Sequence, residues 1–308
     1  MNIPVIFLTT ENDFDVLKQN ILKIREKISS SCYYVIANRS LKSDIELLNC
    51  NFIDENSILE GLNIQTIRDL LSKRECSSKR AGWYFQQFLK MAVCYYLNTD
   101  LYLIWDGDTV PLRDYTVNPD ELYFDVKTEY HKPYFETMKR IFPYLYKKFD
   151  FSFISEHMIV KSDIMKQLIQ EIEVQDSIKG NTFYEKIINS INLEDLSRSG
   201  FSEFETYGNY AMYHNENLYK IRQWKSLRAE NDWLFSTDLK PYLVRKVSKT
   251  YDAVSFDEWE NINRLKNLFY KFFLLFFDLS FINQFYKIIS YPSVKLKAII
   301  RKIYLFLK

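Results

Sequence analysis

Glycine and proline are scarce in this chain of 308 residues, at six and seven, and only three histidines and four cysteines are present. Each shortage excludes something. The segment "FLTTENDF" (7–14) holds no glycine, so no phosphate-cradling glycine loop follows the first apolar run. Cys32, Cys50, Cys76 and Cys94 form no CxxC spacing and read as reduced core thiols of a cytosolic protein. There is no GxSxG and no paired Cys and His, which excludes the common nucleophilic hydrolase signatures. "MNIPVIFLTT" has no basic region before its apolar part and no small-residue cleavage site, so it is expected to be a first core strand and not an export signal. The apolar run Phe272–Phe277 falls far short of the ~20 residues that a bilayer span needs.

What is present is apolar and aromatic. Hydrophobic residues make up 47% of the chain, enough to bury a sizeable core, and disorder is excluded on composition. Charge is unevenly spread. Residues 262–308 carry a net charge of +8 and leave −7 on the rest of a chain whose total is +1. Such polarity suggests an acidic or neutral body joined to a basic tail that meets something anionic.

Short apolar runs alternate with helical patterns through the first half. "IPVIFLTT" (3–10), "CYYVIAN" (32–38), "NFIDE" (51–55) and "LYLIWD" (101–106) read as strands. Residues 13–28 place Phe14, Leu17, Ile21, Ile24 and Ile28 at helical spacing, and residues 80–98 do so with Trp83, Phe88, Met91 and Tyr95. Alternation of this kind predicts an α/β fold with a mainly parallel sheet covered by helices, whose ligands gather at the carboxyl ends of the strands.

"LIWDGDTVPLR" (103–113) ends the most hydrophobic of these strands with Asp106 and Asp108. Alternate residues of an extended chain point the same way, so the two carboxylates can share one side, as oxygen ligands of Mg²⁺ or Mn²⁺ that also bridge to substrate phosphates. Gly107 removes a side chain where a ligand would approach. The plain alternative is a turn capped by two aspartates.

Together, "RAGWYFQQFLK" (80–90), "WDGDTVPLR" (105–113), "FISEHMIVKSDIM" (153–165) and "FSEFETYGNY" (201–210) resemble a bacterial family of GT-A fold, DxD-containing glycosyltransferases encoded with surface-polysaccharide genes. The resemblance implies a Rossmann-like GT-A domain over 1–230. It implies transfer of a sugar from a nucleotide-sugar donor, expected to be a UDP-sugar, to a glycan acceptor of lipopolysaccharide, capsule or a related polysaccharide. Asp106 and Asp108 would hold Mn²⁺ or Mg²⁺ against the diphosphate, where charge develops as the glycosidic bond breaks. Thr9 and Thr10, at the end of the first strand, would meet the nucleobase, and Arg80 the diphosphate or ribose. As an alternative, Lys79 and Arg80 are solvated charges at a helix start.

Direct displacement with inversion needs a carboxylate to take the acceptor's proton. "FSEFETYGNY" offers Glu203 and Glu205. Ser202 and Glu205 fit a capping box, which gives Glu205 a structural task and leaves Glu203 as the preferred base in the helix's first turn. Glu156 and His157 are expected to contact the acceptor, although His157 reads equally well as a core histidine. His214 is the candidate third metal ligand. His131 is expected on a surface loop.

Residues 231–308 are expected to form a helical, basic and aromatic region. Its cations interleaved with Phe and Ile suit an anionic membrane surface, placing the protein at the inner face of the cytoplasmic membrane, where a lipid-linked acceptor would be met. Packing of these helices on the body or in a homodimer is the alternative. No continuous positive track suggests nucleic acid. The rival reading of the whole is a non-catalytic membrane-surface or nucleotide-sugar-binding protein on the same fold.

Overall fold

The apolar runs read as strands lie side by side in a five-stranded sheet. β1 (Val5–Leu8) is central, flanked by β2 (Tyr33–Ala37) and β4 (Leu101–Asp106), with β3 (Asn51–Asp54) outside β2. These four are parallel, and the pairing Leu8↔Asp106 puts the ends of β1 and β4 level. Beyond β4 the sheet continues with one antiparallel strand, so that Trp105 pairs His157. Parallel strands buried on both faces read as unbroken apolar runs. β4 follows the rule, with Leu101 to Trp105 all buried.

Parallel neighbours need crossovers, and helices supply them. α1 (Phe14–Lys27) links β1 to β2, α2 (Lys42–Leu47) links β2 to β3, and α3 (Ile64–Lys73) with α4 (Ala81–Tyr96) links β3 to β4. The predicted apolar face of α1 is buried throughout. α4 differs: it buries residues nearly all round, while Tyr95, expected in its core face, is exposed.

After β4 the chain forms β5 (Thr109–Pro111), β6 (Leu122–Val126), α5 (Lys132–Ile141) and the antiparallel strand, β7 (His157–Lys161). It continues through α6 (Ser162–Glu173), α7 (Phe183–Ser190), α8 (Leu193–Leu196), α9 (Glu203–His214), β8 (Tyr219–Gln223), β9 (Ser226–Arg228), α10 (Pro241–Val247) and β10 (Ala253–Ser255). β6 pairs β8 in parallel, and β10 lies between β5 and β9.

The computed structural model describes residues 3–30, 32–228 and 241–256. Within the region expected to be helical from 231 on, residues 253–255 are a strand, because Ala253, Val254 and Ser255 are buried between two partner strands. The basic, aromatic stretch 262–308 lies outside the described residues. Among the described residues, no helix is long and apolar enough to cross a membrane.

Candidate active site

Asp106 ends β4 at the floor of a cleft of about 650 Å³. Its Oδ1 accepts a hydrogen bond from Lys90 Nζ at 2.6 Å, and Lys90 Nζ stands 3.1 Å from Glu203 Oε1. Lys90 and Glu203 are buried. Burial alone would lower the lysine's pKa, but the charges of Asp106 and Glu203 outweigh it and hold the ammonium protonated. For Glu203 the balance runs the other way. Burial raises its proton affinity, Lys90 opposes this, and the like charge of Asp106 adds to it. One cation shared by two carboxylates leaves the deeper acid above its usual range.

Gly107 follows Asp106 because nothing larger fits. A Cβ there would lie 2.7 Å from the Leu8 carbonyl oxygen and 3.5 Å from Thr9 Cβ. The close approach that the sequence suggested for a ligand is therefore made by the protein's own first strand. The turn is fixed from three sides. Asp106 N–H donates to the Glu156 carbonyl at 2.9 Å, Trp105 Nε1–H to the Thr109 carbonyl at 2.8 Å, and Phe256 N–H to the Asp108 carbonyl at 2.9 Å. Thr109 Oγ1 donates to Asp108 Oδ1 at 3.1 Å. Asp108 does not line the cleft that Asp106 floors.

The remaining walls come from four directions. Arg80, just before α4, and Trp83, Gln87 and Lys90 of α4 lie along one face. The segment before α5 brings Glu129, Tyr130 and His131, α5 itself adds Tyr134, and the turn before β7 brings Ile154 and Glu156. The start of α9 adds Ser202, Glu203 and Phe204. Glu156 has a left-handed backbone, φ 61°, uncommon for a residue with a side chain. Its buried carboxylate pairs with Lys127 and accepts from Ser226 Oγ at 3.0 Å.

Glu203 and Glu205 part company here. Two residues apart on a helix point about 200° from each other, so Glu203 faces the cleft and Glu205 faces away. Ser202 does cap α9, accepting from the Glu205 N–H at 3.2 Å. The expected return bond of a capping box is not made: the Glu205 carboxylate accepts instead from Ser152 Oγ and from Asn209 Nδ2, the latter at 3.3 Å. Burial pushes the Glu205 pKa up to about 7, against the pull of Ser152, Lys147 and Asn209.

His214 is not brought to the site. It closes α9 eleven residues beyond Glu203, about 16 Å along the axis, and is exposed against Tyr210. His157 is buried beneath the turn and lines no described cleft. Its ring stacks on Trp105 with centroids 4.6 Å apart, and Nε2 lies 2.8 Å from Asp125 Oδ2. Its reading as a core histidine is the one this geometry fits. Burial would raise the Asp125 pKa, but Arg222 and His157 bring it down to about 2.

A second cleft of about 630 Å³ lies on the adjacent face of α4. Thr9, Thr10, Glu11 and Asn12 line it with Asn38, Glu55, Arg68, Lys79 and the aliphatic Ile36, Ile64 and Leu89. Thr10 Oγ1 donates to Asp13 Oδ2 at 2.7 Å, fixing the chain's exit from β1. Thr9 and Thr10 thus stand together in this cleft, Arg80 and Asp106 in the other, and Gly107, which lines neither, packs on Leu8 and Thr9.

Sequence reading singled out Arg80, Asp106, Glu156 and Glu203, which the structure places around one cleft. It gave no role to Lys90, Glu129 or Tyr134, took Gln87 as a polar contact to the loop carrying Asp106 and Asp108, and treated Trp83 as packing. A signal existed: Arg80, Trp83, Gln87 and Lys90 recur at helical spacing, a stripe too polar for a core face. His131, expected on a surface loop, is exposed and also lines the cleft.

No protein-family model matches the chain, and no curated protein matches it either. Solved structures do show likeness. Mouse xyloside xylosyltransferase 1 in its apo form is 9% identical, with 85% of this chain and 100% of that chain covered and a TM-score of 0.45. The galactosyltransferase LgtC in complex with donor and acceptor sugar analogs is 12% identical, covering 82% of this chain and 87% of that chain, with a TM-score of 0.39. The glycosyltransferase GlyE of Streptococcus pneumoniae TIGR4 in its apo form is 12% identical, covering 95% of this chain and 65% of that chain, with a TM-score of 0.39. At such scores the chemistry of this chain must be read from its own side chains.

Proposed function

We propose that the chain is a glycosyltransferase that moves a sugar from a nucleotide-sugar donor, expected to be a UDP-sugar, to a glycan acceptor of a surface polysaccharide. The observation that carries this reading is that Gly107 packs on Leu8 and Thr9, which line one cleft, while Asp106, the residue before it, lies on the floor of a second. One holds strand-end hydroxyls, amides and an aliphatic wall; the other holds four carboxylates and a set of aromatic rings. A nucleoside suits the first, a sugar the second, and the diphosphate joining them would cross the turn, near Lys79 of the first cleft and Arg80 of the second, both just before α4.

Carboxylate oxygens are the donors a hard divalent cation takes; Asp106 offers them on the cleft floor beside Lys90, and Asp108 stands two residues on, outside the lining of that cleft. Asp106 and Asp108 would hold Mn²⁺ or Mg²⁺, which takes one or two carboxylates together with substrate phosphates and water. Among the described residues no group of three possible metal-binding side chains stands together, so His214 is not proposed again. When bound, the ion would neutralise the charge that gathers on the departing diphosphate.

The chain's own residues would perform the rest. An acceptor hydroxyl attacks the anomeric carbon as the bond from that carbon to the diphosphate oxygen breaks; the nucleoside diphosphate leaves with the bonding pair. Glu203, whose proton affinity burial raises, takes the hydroxyl proton. Lys90, beside both Asp106 and Glu203, keeps the two acids in place while they are ionised. Attack from the face opposite the leaving group makes the outcome inversion.

Thermal denaturation with UDP, GDP, CDP, ADP and dTDP, each with Mn²⁺ or with chelator, tests the donor reading, because a ligand of the native state raises its melting temperature. One nucleotide is expected to raise it in wild type with Mn²⁺, and Asp106→Asn to remove the rise. A wild-type protein that no nucleotide stabilises would sink the proposal.

A further inference from the structure

Along the cleft face of α4, Lys90 is at the buried floor and Trp83 stands seven residues back, about 10 Å along the axis, where the cleft opens toward the exposed Tyr130 and His131. Opposite Trp83 is Tyr134 of α5. The two rings are 6.5 Å apart, centroid to centroid, with 13° between their planes. The His131 ring lies 4.4 Å from Tyr134 and is tied by Nε2 to the Ser199 carbonyl at 2.8 Å. Trp83 packs against the edge of the core, its ring 4.9 Å from that of Tyr84, but the core does not enclose it. Tyr84, next to Trp83, is fully buried with its hydroxyl donating to the Leu196 carbonyl at 3.1 Å, whereas Trp83 and Tyr134 are half-buried and turned to the cleft.

A flat ring surface beside carboxylates, with the Arg80 guanidinium 5.9 Å from the indole centroid, has a matching ligand. A pyranose presents a face of C–H bonds and a rim of hydroxyl donors; the indole suits the first, and Glu129 and Glu156 suit the second. The cleft volume of about 650 Å³ is that of a site for a ligand larger than one sugar ring. We infer that Trp83 and Tyr134 form the subsite of the acceptor sugar, a pyranose laid on the indole with its reactive hydroxyl directed down the cleft toward Glu203. This rests on the reading of the floor as the place of transfer.

Saturation-transfer NMR on the full chain, with the methyl pyranosides of glucose, galactose, mannose and N-acetylglucosamine as probes, tests it. At least one is expected to bind wild type in the presence of the stabilising nucleotide. Trp83→Ala and Tyr134→Ala should weaken that binding by about tenfold or more, and Trp83→Phe should retain part of it. Tyr95→Ala, on the same helix but outside the cleft, should match wild type. Should Trp83→Ala fail to fold, Trp83→Phe and Tyr134→Ala decide the question. The subsite is overturned if a nucleotide binds and no pyranoside does, or if pyranoside binding is equal in wild type and the folded rim variants. If no nucleotide binds but a pyranoside does and needs Trp83, the donor reading fails and the sugar subsite stands.

Discussion

Lys90 stands 2.6 Å from Asp106 and 3.1 Å from Glu203, so removing its charge leaves two acids with no cation between them. Breaking a buried ion pair from one side typically costs about 3–5 kcal/mol. Lys90→Met should therefore lower the melting temperature strongly, and more at pH 8 than at pH 6, since the unpaired carboxylates can escape part of the cost by taking up protons. Equal loss at both pH values would count against the shared cation. Glu205 gives a second pH test. Its pKa lies at about 7, above its ordinary 4.5, so the folded state holds the extra proton and stability should rise as pH falls from about 7 toward 4.5. Glu205→Gln removes that titration, and its melting profile should be flatter over this range. The sequence preferred Glu203 only through the capping box expected of Ser202 and Glu205, because composition cannot say which face of a helix meets a cleft. The tertiary structure separates them through Ser152, which takes one, and Lys90, which takes the other.

The next scale is the element. The turn after β4 depends on β1 and β10, and both dependences can be measured. Gly107→Ala would drive a methyl into the Leu8 carbonyl at 2.7 Å, and such overpacking costs about 1–3 kcal/mol; a fall in melting temperature of several degrees is expected. β10 is the middle strand of its sheet and its neighbour Phe256 bonds the Asp108 carbonyl. Val254→Pro removes a ladder donor from a central strand and should weaken nucleotide stabilisation as well as the fold. If nucleotide binding is unchanged in a folded Val254→Pro protein, β10 does not position Asp108. The first four strands and the helices α1 and α4 were legible because their apolar runs and spacings are local. β10 was not legible. "AVS" is too short to show a period, and its place is set by partners more than a hundred residues away in one case.

At the scale of the whole molecule, the separation of charge raises the question of a surface. Residues 262–308 lie outside the described residues, and their sequence pairs a net charge of +8 with aromatic and aliphatic side chains. Each basic residue near an anionic surface adds about 1 kcal/mol of attraction. The full chain is expected to float with vesicles rich in phosphatidylglycerol, to do so less with phosphatidylcholine alone, and to lose this when the chain ends near Asp257. Flotation that is equal for the two chains would rule out membrane attachment through residues 262–308.

The sequence by itself determined the α/β order, the parallel strands of the first hundred residues and the position of two acids at the end of the most apolar one. These follow from hydrophobic periodicity and from the side-chain alternation of a strand, which need only neighbours along the chain. Only the tertiary structure decided that Asp106 shares Lys90 with Glu203, that Glu205 and His214 face elsewhere, and that Trp83 and Tyr134 meet across a cleft. Those relations join residues from separate helices and strands, and their distances are set by how the elements pack.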